Sequence, residues 1–308
     1  MSPTDRIVVV VGPTASGKSD LAIALTQRLA AAEIVNADSM QLYRGMDIGT
    51  AKSPSVSRGS VTHHLLDVLD VAEEGSVAEF QRSARAVIAD CLGRGVTPVV
   101  VGGSSLYVRA VIDPLDFPGT DADVRARWAA ELEARGAAAL HTVLAERDPE
   151  AAGQILPSNG RRIVRALEVG ELTGEPFVAS MPPYDSIYPG LIMIGLGVPR
   201  DVLDARLERR VDDMWEHGLV DEVRALVERG LADGPTASRA LGYQQILAHL
   251  RGDMTEAEAR VATVVGTRRF ARRQDRLFRK DPRIQWLPFD APDLAETAEQ
   301  LAARRLEA

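Results

Sequence analysis

Apolar residues follow two patterns along this chain. Five short runs show no polar alternation: RIVVVVG at residues 6–12, EIVNA at 33–37, TPVVVGG at 97–103, GLIMIGLGV at 190–198 and, more weakly, RIQWLPF at 283–289. Val and Ile runs that stay apolar at every position suit parallel strands covered on both faces; a strand with one wet face alternates instead. Between the runs stand segments with helical spacing, among them SDLAIALTQRLA at 19–30 and EFQRSARAVIADCLGRG at 79–95. Strand, turn, helix and strand in that order predict an α/β fold, a parallel sheet with right-handed crossovers.

The alternation stops near Pro118, and up to Pro183 the chain reads as helices. Thr120 to Asp123 has the spacing of an N-terminal cap. Gly136, Gly153, Gly160 and Gly174 punctuate the segment, whose Ala and Arg content suits helix rather than disorder. Pro182-Pro183-Tyr184-Asp185 marks its exit, and the run at 190 resumes the sheet. Residues 118–186 are therefore expected to be an all-helical insertion. Residues 1–117 and 187–308 are expected to form a P-loop-type parallel sheet core with helices on both faces. With 308 residues, 45% of them hydrophobic, the chain is long enough for such a core. It carries no repeat, heptad array or low-complexity tail.

Composition narrows the class. Cys91 is the only cysteine, which excludes an internal disulfide framework and a thiolate zinc cluster; on its helical segment it reads as a buried structural thiol. The apolar run at the N-terminus is too short to span a bilayer, so no membrane and a cytoplasmic location are expected. The net charge of −8 argues against nucleic acid on average, but a local basic patch overrides an average.

GPTASGKS at 12–19 follows a strand and opens a helix, the context a phosphate-cradling loop requires. Backbone N–H groups from Gly12, Pro13-Thr14-Ala15-Ser16 and Gly17 converge on anionic oxygens, except at Pro13, which has none. The helix N-terminus adds its positive end. Lys18 reaches phosphate as a point charge, and the Ser19 hydroxyl can ligate Mg²⁺. ATPases and GTPases with this loop also carry an Asp at the end of a later strand, but here that strand ends in Gly102-Gly103-Ser104-Ser105. The first acid after a strand is Asp38, expected on the strand adjoining the loop's own. It can contact a metal through water, act as a general base or merely cap a helix. Asn36, Ser39 and Gln41 offer hydrogen bonds beside it. The following LYRGMDIGTAKSP is too rich in special residues to be a mere connector. His63 and His64 are adjacent on a strand and so face opposite ways, which is no chelate.

TRRFARRQDRLFRK at 267–280 holds the positive charge. At about 100° per residue, its six Arg and Lys280 fall within an arc of about 140° on a helix. Phe270, Ala271, Leu277 and Phe278 are expected on the packing side. Arg161, Arg162 and Arg165 repeat the pattern, with Ile163 and Val164 inward. A phosphate loop with an arginine stripe points to one small, Mg-bound anion and one polyanion. A small-molecule kinase and an RNA-docking nucleotide-binding regulator are alternative readings of the same features.

Taken in order, GPTASGKS, NADSMQLYRGMDIGTAK, HHLLDV, VVGGSSLYVRA, RRIVRALEVGELTG, SRALGYQQI and GTRRFARRQ resemble the tRNA dimethylallyltransferase (tRNA isopentenyltransferase) family. The resemblance implies transfer of a dimethylallyl group from dimethylallyl diphosphate to the exocyclic amine of the adenosine 3′ of the tRNA anticodon. It implies that residues 12–19 grip the diphosphate, with Mg²⁺ at Ser19 and Thr14 polarising the leaving group. Asp38 would take the amine proton, and Asp38, Ser39, Met40 and Gln41 would meet the flipped-out base. Ser104, Arg125, Arg161, Arg162, Ile163, Val164 and Arg165 would contact tRNA, joined by Arg272, Arg273 and Arg276 of the basic stripe. The insertion would grip the anticodon stem-loop, and the chain is expected to act as a monomer. This chain departs from the family pattern with Ser104 in place of Thr, with Pro157-Ser158-Asn159-Gly160, with Gly170 and with Asp275-Arg276-Leu277.

Overall fold

The computed structural model describes residues 6–53, 59, 61–177 and 181–303. Its strands are β1 (Arg6–Val11), β2 (Ala32–Asn36), β3 (His63–His64), β4 (Thr97–Gly102), β5 (Gly190–Gly197) and β6 (Ile284–Pro288). They form one sheet in the lateral order β3-β2-β4-β1-β5-β6, and every pairing is parallel. The helices are α1 (Lys18–Arg28), α2 (Val77–Gly93), α3 (Ser105–Ile112), α4 (Ala122–Arg147), α5 (Pro149–Gln154), α6 (Gly160–Thr173), α7 (Arg200–Glu216), α8 (Leu219–Val227), α9 (Tyr243–Leu250), α10 (Glu256–Phe278) and α11 (Leu294–Ala303).

The unbroken apolar runs are explained by cover on both sides. Ile7, Val9 and Val11 pack with Val35 and Val100 against Phe80, Ala84 and Ile88 of α2 and Val108 and Val111 of α3. Val8, Val10, Val99 and Ile194 pack instead against Leu21, Ala22 and Leu25 of α1 and Leu301 of α11. Alternate residues of each strand point to opposite faces, and cover on both faces keeps the inner strands apolar at nearly every position. Cys91 of α2 is buried; burial pushes its thiol up to about 11. Among the described residues, no helix is long and apolar enough to cross a membrane.

The chain divides into two compact units, residues 1–114 with 186–308, and Leu115–Asp185. The second is helical, with Trp128, Leu140, Leu144, Ile163, Val164 and Leu167 in its own core. Its first cap is Asp121 rather than Thr120, because the Asp121 carboxylate accepts from the N–H groups of Asp123 and Val124, both at 3.0 Å. Gly136 breaks α4 with φ 77°, and Gly174 closes α6 with φ 71°. Gly153 lies inside α5 instead.

Candidate active site

At the carboxyl edge of the sheet, β1 passes into the phosphate loop. Ala15 (φ 63°) and Gly17 (φ 95°) take left-handed conformations there. A left-handed non-glycine residue is strained, and such strain is maintained only where the surroundings over-determine it. Ser16 Oγ is buried and, among the described residues, has no hydrogen-bond partner, so an anion oxygen would satisfy it.

Asp38 lies two residues beyond the end of β2, at the same edge. The sequence suggested that β2 adjoins β1, but β4 lies between them, with Val11 opposite Gly102. Periodicity carries no information on lateral strand order. The intervening strand has no acid at its tip for a steric reason. A Cβ on Gly102 would lie 2.4 Å from the Ala37 carbonyl oxygen, and one on Gly103 would lie 2.5 Å from Gln274 Nε2. The two glycines leave the tip of β4 bare between Asp38 and the loop.

Asp38 caps no helix; it opens a turn. Its Oδ1 accepts from Met40 N–H at 3.0 Å, and its own N–H donates to Asn36 Oδ1 at 3.0 Å. Asn36 Nδ2 donates to the Asp38 carbonyl (3.1 Å) and to that of Leu65 (2.9 Å). The carboxylate is thus braced through the backbone on both sides while its second oxygen has no bond of this set.

Arg210 of α7 completes the charge arrangement. Burial lowers its guanidinium below the ordinary value, and the Asp38 charge opposes that shift. Burial brings Lys18 down to about 8, again opposed by Asp38 and assisted by Arg210. Two cations and one carboxylate therefore share a poorly solvated space, in which an added anion gains more than it would in water. Arg210 borders three cavities. One of about 620 Å³ also meets Thr14, Asp38, Ser39, Met40 and Ser104. A cramped one of about 60 Å³ holds Ser19, Lys18, Asn36, Gln41 and His63. The third, about 1130 Å³ and open, carries Arg206 and Arg209 as well. Arg210 has no sequence motif, but the inward stripe Leu203, Leu207, Val211 of α7 has an arginine one position before Val211. That was the signal to be read.

A metal would find hard oxygen donors in the cramped cavity, where the Ser19 hydroxyl and the Asp38 carboxylate both line the wall. That donor set suits Mg²⁺, which binds through few side chains and completes its shell with phosphate and water. Glu33, His64 and Cys91 form a second cluster with metal-like spacing. Its carboxylate, however, is already held by Arg94 at 2.8 Å and His64 at 2.7 Å.

The basic stripe on α10 divides in two. Arg268 pairs with Glu208 at 2.8 Å and Arg272 with Asp204 at 2.9 Å, both acids belonging to α7. Arg279 pairs with Asp275. Arg269, Arg273 and Arg276 border the 620 Å³ cavity, and no ion pair among the described residues involves them. Ala271 and Phe278 are buried as expected, whereas Leu277 is 38% exposed and Phe270 borders the cavity. Gln274 is buried among these arginines. Its Oε1 accepts from Thr14 N–H at 2.9 Å, and its Nε2 donates to the Gly103 carbonyl at 2.7 Å. It thus ties the basic helix to both loops.

In the helical unit, Ile163 and Val164 are core residues, which corrects their expected place in an RNA-contacting run. On a helix they occupy the face opposite Arg161 and Arg162, which are exposed. Arg165 donates to the carbonyls of Pro118 (2.6 Å) and Gly119 (3.2 Å), and Arg125 and Arg165 both pair with the buried Glu168.

A family model described as IPP transferase matches residues 41–281. A tRNA dimethylallyltransferase of Thermobifida fusca is 62% identical over 95% of this chain and 92% of its own length. The crystal structure of a full-length tRNA isopentenylpyrophosphate transferase from Bacillus halodurans has a TM-score of 0.72 at 40% identity, covering 97% and 96% of the two chains. A eukaryotic dimethylallyltransferase acting on tRNA has a TM-score of 0.76 at 25% identity, covering 97% of this chain and 77% of its own.

Proposed function

This chain belongs to the IPP transferase family, and from that membership we propose how its residues divide the work of prenylating tRNA. The reaction is transfer of the dimethylallyl group from dimethylallyl diphosphate to N6 of the adenosine 3′ of the anticodon. The observation that carries this reading is the lining shared by the 620 Å³ cavity and the cramped one: Thr14, Asp38, Thr50 and Arg210 border both. A base entering one and a diphosphate lodged in the other would meet at Asp38.

The amine nitrogen attacks the first carbon of the dimethylallyl group. The carbon–oxygen bond to diphosphate breaks, and its electron pair leaves with the diphosphate. Asp38 accepts one N–H proton, leaving the amine neutral. Lys18, Arg210, Ser16 and the loop N–H groups receive the departing charge. They are preorganised in a site that excludes much of the water, where such donors stabilise most. Ser19, with Asp38 nearby, would hold Mg²⁺, which when bound neutralises diphosphate oxygens. Ser39 and Met40 would bound the base, extruded from its stack to be reached, whereas Gln41 lines the cavity read as the diphosphate's. Ser104 is at the N-cap of α3, and its hydroxyl makes no capping bond there, so it is available to RNA. Arg269, Arg273 and Arg276 would take backbone phosphates at the cavity mouth, and Arg161 and Arg162 the anticodon stem-loop.

Incubation with labelled dimethylallyl diphosphate and an anticodon stem-loop bearing the target adenosine tests the reading. Label in the RNA is expected. Transfer of the γ-phosphate from ATP, with no prenyl label in RNA, would overturn it in favour of a kinase.

A further inference from the structure

Residues 42–53, the turn-rich segment after Asp38, have an anchor that the reaction does not account for. Glu222, in the first turn of α8, gathers three successive backbone N–H groups. Its Oε2 accepts from Asp47 at 3.1 Å and Ile48 at 2.7 Å, and its Oε1 from Gly49 at 3.2 Å. The same Oε1 accepts from the Tyr243 hydroxyl at 2.6 Å. Burial, reinforced by the neighbouring Glu222 charge, holds that phenol well above its ordinary value, so it stays a donor. Gly49 is pressed against the Tyr243 ring, which a Cβ there would approach to 2.4 Å. Charge-assisted bonds to three consecutive amides fix the direction of the next peptide.

That next residue is Thr50. Its carbonyl accepts from Gln41 Nε2 at 3.2 Å and from an Arg210 guanidinium nitrogen at 3.3 Å. One backbone oxygen therefore sets two side chains that line the cramped cavity, while Thr50 itself borders both cavities and Gly49 the 620 Å³ one.

We propose that Glu222 is a positioning residue for the transfer: by gathering the amides of residues 47–49, it holds Thr50 on the wall shared by the two cavities, where the Thr50 carbonyl sets Gln41 and Arg210 at the diphosphate. This rests on the prenyl-transfer reading. Glu222 itself lines none of the three cavities that Arg210 borders. The segment keeps a second anchor without it, because Lys52 Nζ bonds Asp47 and Asp67, both at 2.6 Å, and the Tyr43 carbonyl at 3.0 Å.

The test compares Glu222→Ala and Glu222→Gln in the full chain and in an Arg210→Ala background. The readouts are KM for donor and for RNA in the transfer assay, and the Kd of inorganic diphosphate by calorimetry. Glu222→Ala should raise both KM values about tenfold, and Glu222→Gln, which keeps one acceptor oxygen, about threefold; effects of this size are usual within one hydrogen-bond network. The diphosphate Kd should weaken by similar factors in the parent chain and by less than about twofold once Arg210 is gone. Equal factors in both backgrounds, or unchanged KM values, would overturn the proposal and leave Glu222 a purely structural anchor. If the alanine variant does not fold, the glutamine pair decides by the same criterion. A chain that transfers no prenyl group yet keeps the diphosphate coupling would sink the reaction and spare the positioning role.

Discussion

Asp38 can serve as a base because its position is fixed by its backbone rather than by its charge. Asn36 and the Met40 amide hold the turn, and an asparagine at 38 would keep the Met40 bond through its own Oδ1. Asp38→Asn is thus expected to reduce single-turnover prenyl transfer by about 10²–10⁴-fold, the usual contribution of a positioned base, with little change in RNA affinity by filter binding. A near-normal rate would remove Asp38 from the base role. Lys18 gives a second prediction at this scale. Burial leaves its pKa at about 8 against 10.5 for the free side chain. Below about 8 the ammonium is charged whether or not diphosphate is bound. Above it the empty site holds a neutral amine, and bound diphosphate would draw a proton back. Diphosphate affinity should therefore fall as pH rises through about 8. Calorimetry in two buffers just above that pH should show proton uptake that Lys18→Met abolishes; equal uptake in both proteins would refute this. Lys18 was legible in the sequence because it closes the phosphate-loop motif and opens α1, and Asp38 because it is the first acid after a strand. Arg210 and Glu222 were not. Each lies in a run of mixed charge more than 150 residues along the chain from the loop it serves, and local spacing cannot record such contacts.

Among the elements, the basic helix α10 was read correctly as amphipathic and incompletely as a uniform stripe. Acids of α7 neutralise Arg268 and Arg272, and among the described residues of the stripe only Arg279 is matched from within α10, by Asp275. Helical periodicity describes one element and is blind to the charge of its neighbour. The division has a consequence for RNA binding. Arg276 borders the cavity without an ion pair among the described residues, whereas Arg272 is matched by Asp204 at 2.9 Å. Arg276→Ala should weaken stem-loop binding and lower the slope of log affinity against log salt by about 0.7–0.9, as for one lost phosphate contact. Arg272→Ala should leave that slope nearly unchanged. Equal slopes for the two variants would restore the continuous stripe.

For the whole molecule, the continuous Val and Ile runs identified the parallel sheet because cover on both faces favours apolar residues along its inner strands. The interposition of β4 between β1 and β2 was hidden, yet it explains the most unusual feature of the sequence: a phosphate loop without a partner acid. Gly102 and Gly103 are there because the Ala37 carbonyl and Gln274 fill the space a side chain would need. With glycines rather than an acid at the tip of β4, the site is suited to letting a diphosphate leave. The direct test uses a donor labelled on its prenyl carbon and, separately, on its phosphorus, with an anticodon stem-loop as acceptor. The carbon label should enter the RNA at the adenosine amine, while all phosphorus label is released as free diphosphate, in equal amount and only when RNA is present. Phosphorus label in the RNA, or diphosphate released without RNA prenylation, would contradict a loop built to hold a leaving group.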